Sequence, residues 1–239
     1  MQKLNIDFSE YIRLANPIAD NQTMLRQNLV PNLINNIRSN QAKYDAIKIF
    51  EIGSVYWSTY GNIPKGGESK ENLPHQEKSI AIAVAGPDDK VFHKAKGLVE
   101  YLLSALEISV LYKECANIPA WGEKSVCAEL LANGKNIGKI AMLSAAVAQK
   151  AGLKKNVAFV DIDFNDFFNL VKSDGIKKYK KLEKYPPIVR DLAFVVDANV
   201  LYNDINKEIS NFSEMVKEAE LFDVYEGGKL GVGKKSLAF

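Results

Sequence analysis

The sequence predicts an α+β fold in which a mostly antiparallel sheet carries flanking helices and is followed by a smaller β-α-β-β module. Three observations lead there. Apolar stretches of strand length alternate with one long and several short helical patterns. Asn133-Gly134 stands between two apolar runs as a tight hairpin signal, which implies antiparallel neighbours. A basic, proline-containing stretch at 176–190 then breaks the periodicity and separates a larger first part from a smaller second one.

The elements follow in order. In LVPNLINNIRSNQ, Leu29, Leu33, Ile34 and Ile37 share one helical face, and Pro31 is tolerated near a helix start, where its missing N–H has no intrahelical partner. KIFEIGSVYWS is rich in β-branched and aromatic residues with apolar side chains at both parities, so it is predicted as a central strand covered on both sides. Residues 61–78 turn polar around Pro64, Gly66, Gly67 and Pro74 and read as a loop; SIAIAVAG is a second buried strand. Phe92, Ala95, Leu98, Val99, Leu102, Leu103 and Leu106 step by three and four, the most regular helical pattern in the chain. ELLANGKNIGKIAML is the hairpin, SAAVAQKAG a short helix stopped by Gly152, VAFVDIDF a strand and NDFFNLV a short helix.

In IKKYKKLEKYPPIVR, 6 basic residues face 1 acidic residue. Pro186 and Pro187 bias Tyr185 away from helix. We therefore expect a first domain over 1–175, a linker over 176–190 and a second domain over 191–239. Beyond the linker come a strand (DLAFVV), a helix that Asn203 could cap, a strand (AELFDVYEG), a Gly-rich turn and a third strand ending at Phe239. This β-α-β-β order is the first half of a ferredoxin-like unit. With its fourth strand absent, such a sheet is expected to show an unpaired edge, an uncovered apolar face and poor order.

Composition excludes several function classes. The net charge of +2, from 31 Lys and Arg against 29 Asp and Glu, gives no whole-molecule field toward nucleic acid or membrane, so any nucleic-acid role needs a local patch. Two cysteines, Cys115 and Cys127, are too few for a disulfide framework or a zinc site and read as free thiols of a reducing compartment. His75 and His93 have no ligand cluster around them, so no metal site is expected. The apolar windows are shorter than a membrane span, and no secretory signal opens the chain, so no membrane role and a cytoplasmic location are expected.

GGKLGVGKK poses one alternative, a phosphate-cradling loop. That loop needs Ser or Thr directly after Gly-Lys, and a helix after it. Here Lys235 follows Lys234, Ser236 comes one place late, and the context is strand, turn, strand. A Gly-rich turn with a basic tip is the reading that fits.

Taken together, Asn16-Pro17, Met24-Leu25-Arg26 with Leu29, Pro31 and Leu33, FEIGSVY (50–56), AKGLVEYLL (95–103), YPPIVRDLAFVVD (185–197), LFDVYEG and GKKSLAF resemble the β-subunit family of bacterial phenylalanyl-tRNA synthetases, in the part after its editing domain. The resemblance spans nearly the whole chain and implies a class II synthetase-like domain without catalysis, then an incomplete ferredoxin-like anticodon-binding domain. It implies assembly with a catalytic α subunit as a heterotetramer of two α and two β, and binding of tRNA(Phe). ATP and magnesium are then expected at the α subunit, with no cofactor and no catalytic residue on this chain. An active class II strand ends Phe-Arg-x-Glu, the arginine meeting the ATP α-phosphate. Laid on that pattern, FEIGSVYWST puts Tyr56 at the aromatic place, Trp57 at the arginine and Thr59 at the acid. No Gly-rich third motif occurs before residue 180. Tyr56 and Trp57 are accordingly expected as core aromatics.

The chain departs from the family at AWGEKS (120–125) and at Leu143-Ser144-Ala145, which puts in doubt contacts made through those loops. The family's N-terminal domains have no counterpart in it, so a fragment of a longer subunit is one expectation.

RNA binding needs cations for phosphate and a flat group for bases. The candidates are Tyr185 for stacking and Arg190, Lys234 and Lys235 for phosphate. Arg190 has an alternative as a surface ion pair with Asp191 or Asp197, and the lysines an alternative as solubilising groups on an edge hairpin. Lys177, Lys178, Lys180 and Lys181 read as a solvated linker face. The competing function is a free-standing RNA-binding protein whose first domain is an inert scaffold. The two differ in whether the first domain exposes an apolar, aromatic patch for a partner.

Overall fold

The computed structural model describes residues 11–19, 22–60, 74–173 and 184–239. The chain divides into two compact units, Met1–Lys177 and Lys178–Phe239.

In the first unit the elements run α1 (Val30–Asn40), β1 (Ile47–Tyr60), β2 (Pro74–Gly86), α2 (Val91–Ser104), β3 (Val110–Glu114), β4 (Gly122–Ala132), β5 (Lys135–Leu143), α3 (Ala145–Ala151), β6 (Asn156–Asp163) and α4 (Phe164–Ser173). The six strands form one sheet in the order β1-β2-β6-β5-β4-β3, and every pair is antiparallel. Strand parity sorts the apolar residues into two cores. Val157 and Phe159 of β6 join Leu29, Leu33, Ile37 and Val55 on the α1 side of the sheet. Ala158, Val160 and Ile162 of the same strand join Val91, Ala95, Val99 and Leu103 of α2 on the other side. The run of β6 is apolar at both parities because both of its faces are covered.

The local signals act as chain chemistry requires. Asn133 and Gly134 have φ of 49° and 77°, the two positive values a primed hairpin turn needs between β4 and β5. The Ser144 side chain accepts a hydrogen bond from the Val147 N–H (3.4 Å) at the start of α3, and Gly152 ends that helix in the left-handed region at φ 71°.

The strand predicted as central is instead an edge strand. Among the described residues β1 pairs only with β2, and α2 and α4 lie over β2, β5 and β6. Its parity facing α1 is covered, whereas Phe50 and Ile52 on the other parity are 71% and 51% exposed. An apolar run marks a strand without saying what covers it. The C-terminal half of β1 is bordered by the segment before α1: the Tyr56 N–H donates to the Arg26 carbonyl at 2.9 Å, Arg26 Nε donates to the Ser54 carbonyl at 2.9 Å, and Arg26 Nη1 pairs with Glu51. A side chain on Gly53 would strike that guanidinium.

In the second unit β7 (Ala193–Asp197), α5 (Tyr202–Asn211), β8 (Asp223–Tyr225) and β9 (Lys234–Ala238) form an antiparallel sheet in the order β7-β9-β8. The last strand thus lies between the first two, the arrangement of the first half of a ferredoxin-like unit. Two local expectations change, those for the α5 cap and the length of β8, while the Gly-rich turn stands as expected. α5 starts after Leu201 in extended backbone, so Asn203 sits within its first turn and is not the cap. Only three residues of AELFDVYEG pair as strand, because β8 bonds to β9 from Asp223 to Tyr225. The Gly-rich connection makes one 3-10 turn, Gly228–Leu230, and Lys234 then opens a strand, which is incompatible with a phosphate loop leading into a helix.

Candidate functional site

Residues directly opposite each other in a sheet share a face, so the register of β9 divides the second unit's sheet. Leu237 stands opposite Phe194 and Val224. It is buried, as is Phe239, whose ring stacks on Tyr202 of α5 at 5.7 Å and meets Phe194 edge-on at 6.0 Å. This is the helix-covered face. The other parity carries Ser236 opposite both Val195 and Tyr225, Lys234 opposite Asp197, and Ala238 opposite Ala193 and Asp223. Val195 and Tyr225 are 57% and 46% exposed on it. Its central row thus offers an aromatic ring, a hydroxyl and an aliphatic side chain. The rows on either side add the Asp223 carboxylate and the Lys234 cation. A side chain at Gly227 would collide with the Tyr225 ring and hydroxyl, so glycine there gives the ring its seat.

The four residues predicted from sequence do not converge. Lys234 is on the open face and is held by Asp197 at 2.6 Å. Lys235 belongs to the opposite parity, and its Nζ donates to the Ala198 carbonyl at 2.9 Å, tying down the end of β7. Arg190 and Tyr185 lie beyond the far end of the β7–β9 pair, where Leu192 and Phe239 exchange backbone hydrogen bonds of 2.9 and 2.8 Å. At about 3.3 Å per residue, the length of β9 puts roughly 17 Å between that end and Lys234. Arg190 Nη1 donates to the Val189 carbonyl (3.1 Å), and Lys184 Nζ sits 5.6 Å from the exposed Tyr185 ring. Lys177, Lys178, Lys180 and Lys181 lie outside the described residues. Sequence reasoning passed over Tyr225, Ser236 and Asp223, and the signal that could have found them is the alternation within DVY and KKSLA.

On the α1 side of the first unit's sheet is a cavity of about 270 Å³. Val55 and Trp57 of β1, Glu77 and Ser79 of β2, and Asp161 and Asp163 of β6 form its floor, with Trp121 at one wall. Trp57 is therefore only half a core residue: one side packs on the α1 core, and the ring also lines the cavity and meets His75 at 5.5 Å. Tyr56 is likewise half-buried. His75 Nε2 lies 2.7 Å from Glu77 Oε1, and the Ser79 hydroxyl donates to Asp161 Oδ1 at 2.7 Å. Burial raises the Asp161 carboxyl above the ordinary range, opposed by that hydrogen bond. Three carboxylates, Glu77, Asp161 and Asp163, and two lysines, Lys78 and Lys139, line the cavity, a charge balance that disfavours a polyanion such as a nucleoside triphosphate. Nearby, the Cys127 thiol is pushed up to about 12, first by burial and then by its hydrogen bond with Cys115, and both thiols are free.

A six-stranded antiparallel sheet between helix layers, with an open cavity on one face, defines the class II aminoacyl-tRNA synthetase fold. Pyrrolysyl-tRNA synthetase from Desulfitobacterium hafniense shares it, with a TM-score of 0.51 at 16% identity over 72% of this chain and 58% of that one. The family model of the phenylalanyl tRNA synthetase beta chain CLM domain matches residues 1–164, and that of the ferredoxin-fold anticodon binding domain matches residues 183–239. The chain belongs to the phenylalanyl-tRNA synthetase beta-chain family. It is 32% identical to the phenylalanine–tRNA ligase beta subunit of Dechloromonas aromatica over 98% of this chain and 29% of that one. The corresponding subunit of Geobacillus kaustophilus is also 32% identical, with the same coverage. That of Bacillus subtilis is 28% identical over 95% of this chain and 28% of its own length. The chain thus spans somewhat under a third of the length of the curated relatives it matches.

Proposed function

We propose that this chain is a non-catalytic part of a phenylalanine–tRNA ligase β subunit: its first unit assembles with the catalytic α subunit, and its second holds the anticodon of tRNA(Phe). The observation that carries the tRNA reading is the open sheet face with Tyr225, Ser236, Asp223 and Lys234 on adjoining rows. Tyr225 stacks on an unpaired base, Ser236 and Asp223 hydrogen-bond its edge, and Lys234 exchanges Asp197 for a phosphate. Tyr185 and Arg190 reach a more distant part of the RNA backbone.

Aminoacyl-adenylate formation, with ATP and magnesium, belongs to the α subunit. Trp57 in the arginine's place and the carboxylates around it support that division. The complex contains two copies of each subunit and works in the cytoplasm; no helix among the described residues is long and apolar enough to cross a membrane. The exposed Phe50 and Ile52 of β1 favour a partner-bound first unit over a free-standing RNA-binding scaffold, because side-by-side large apolar groups on a sheet face mark a contact surface.

The test is titration of a labelled tRNA(Phe) anticodon stem-loop with the chain. Base–aromatic stacking is worth about 1–3 kcal/mol, so Tyr225→Ala should weaken binding by roughly five- to a hundredfold, while Lys235→Ala leaves it unchanged. Equal affinity of Tyr225→Ala and the parent chain would remove the open face from the interface.

A further inference from the structure

The cavity on the α1 side of the first unit's sheet keeps features that neither assembly nor RNA binding uses. It contains both tryptophans of the chain, and each is braced in place. Trp121 is buried and meets Phe159 edge-on at 5.5 Å, while Trp57 leans on His75 at the same separation. Two flat apolar walls are thus set before any ligand arrives, which lowers the ordering cost of binding.

The charges of the floor are unevenly committed. Lys139 stands opposite Asp161 in the β5–β6 register, yet its Nζ reaches away to the Asn117 carbonyl at 2.7 Å. Lys78 also borders the cavity, but its Nζ lies 5.7 Å from the centroid of the Phe164 ring, on α4. Glu77 is paired with His75, and Asp163 Oδ1 accepts the Asp166 N–H at the start of α4 (2.9 Å). Asp161 has Ser79 as hydrogen-bond partner on one oxygen, and Ser79 is itself buried. The Lys139 ammonium, bonded to Asn117, acts on Asp161 only through space. A half-buried carboxylate whose one direct partner is a hydroxyl is a place where an incoming cation gains both a charge partner and the faces of nearby rings. A phosphate or a carboxylate meets the reverse: both bordering lysines are turned elsewhere and the remaining charge repels it.

We infer that this cavity is a binding site for a small organic ammonium ion with an aromatic or alkyl body, its nitrogen on the Asp161 carboxylate and its body between the indoles of Trp57 and Trp121. The volume of about 270 Å³ lies just below the range of drug-sized pockets and sets the class at about ten non-hydrogen atoms. The site is separate from the RNA reading of the second unit and stands or falls without it.

Because the chain has no tryptophan outside this cavity, its indole fluorescence reports on the site alone. The experiment titrates the full chain with phenethylammonium, with its uncharged isostere 2-phenylethanol and with the anion 3-phenylpropionate, by fluorescence and calorimetry. Phenethylammonium should bind saturably, at least about tenfold more tightly than the alcohol, with the anion silent. Asp161→Asn should bring the ammonium down to the affinity of the alcohol while the chain stays folded by circular dichroism. Equal binding of the charged and uncharged ligands by the unaltered chain, binding of the anion, or no response to phenethylammonium at millimolar concentration would each overturn the assignment.

Discussion

Tyr225, the proposed stacking residue, owes its place to its neighbours. Its ring takes the space a side chain at position 227 would fill, and it shares a row with Ser236 and Val195. Gly227→Ala should therefore displace the ring and weaken anticodon stem-loop binding several-fold with little change in the melting temperature; the backbone at 227 (φ −146°) is open to any residue. Anisotropy titration beside a thermal melt separates the two effects. Asp161 makes a pH-dependent prediction. Its folded carboxyl is raised above the ordinary 3.8, so the folded state holds the proton more tightly than the unfolded chain. The ionised group then weakens the fold fully above the raised value, and the penalty fades as pH falls toward 3.8. Asp161→Asn should raise the melting temperature at pH 7 and lose that advantage below pH 3.8, as calorimetric scans across pH would show. Cys127, pushed up to about 12, should react with iodoacetamide at pH 8 far more slowly than a small free thiol. None of these properties was legible in the sequence. Residue types were visible, but which side chain shares a row with which depends on register.

At the scale of elements, the sequence was most informative where a single local interaction decides the outcome. Asn133-Gly134 determined a hairpin, Ser144 and Gly152 bracketed α3, and the four-residue spacing of Ala95, Val99 and Leu103 fixed the buried side of α2. Gly134→Ala, at φ 77°, should cost about 1–2 kcal/mol, and Ser144→Ala about 1 kcal/mol, both measurable by urea denaturation. Leu103 is fully buried, and Leu103→Ala should cost about 2–5 kcal/mol in the same assay. Information ran out where long-range pairing decides. β1 and β6 both read as apolar runs, and only the sheet order shows that β6 has two covered faces while β1 leaves Phe50 and Ile52 in solvent. Register also separates two of the candidate phosphate contacts: Lys234 and Lys235 are neighbours in sequence and face opposite sides of β9.

At the scale of the molecule, the proposed function gives the two units different work. The first has the class II sheet, with a cavity lined by three carboxylates and two lysines, and it exposes Phe50 and Ile52 on its edge strand. The second presents an open face suited to an unpaired base. The proposal that joins them is that the first unit assembles and the second reads RNA, each on residues the other does not supply. The most direct test mixes the chain with the phenylalanine–tRNA ligase α subunit of the same source and measures mass by light scattering after size exclusion. A stable co-complex that Phe50→Asp with Ile52→Asp dissolves is the result expected from a non-catalytic assembly partner. A folded chain that elutes alone at its own 26.6 kDa, with the α subunit present in excess, would contradict it.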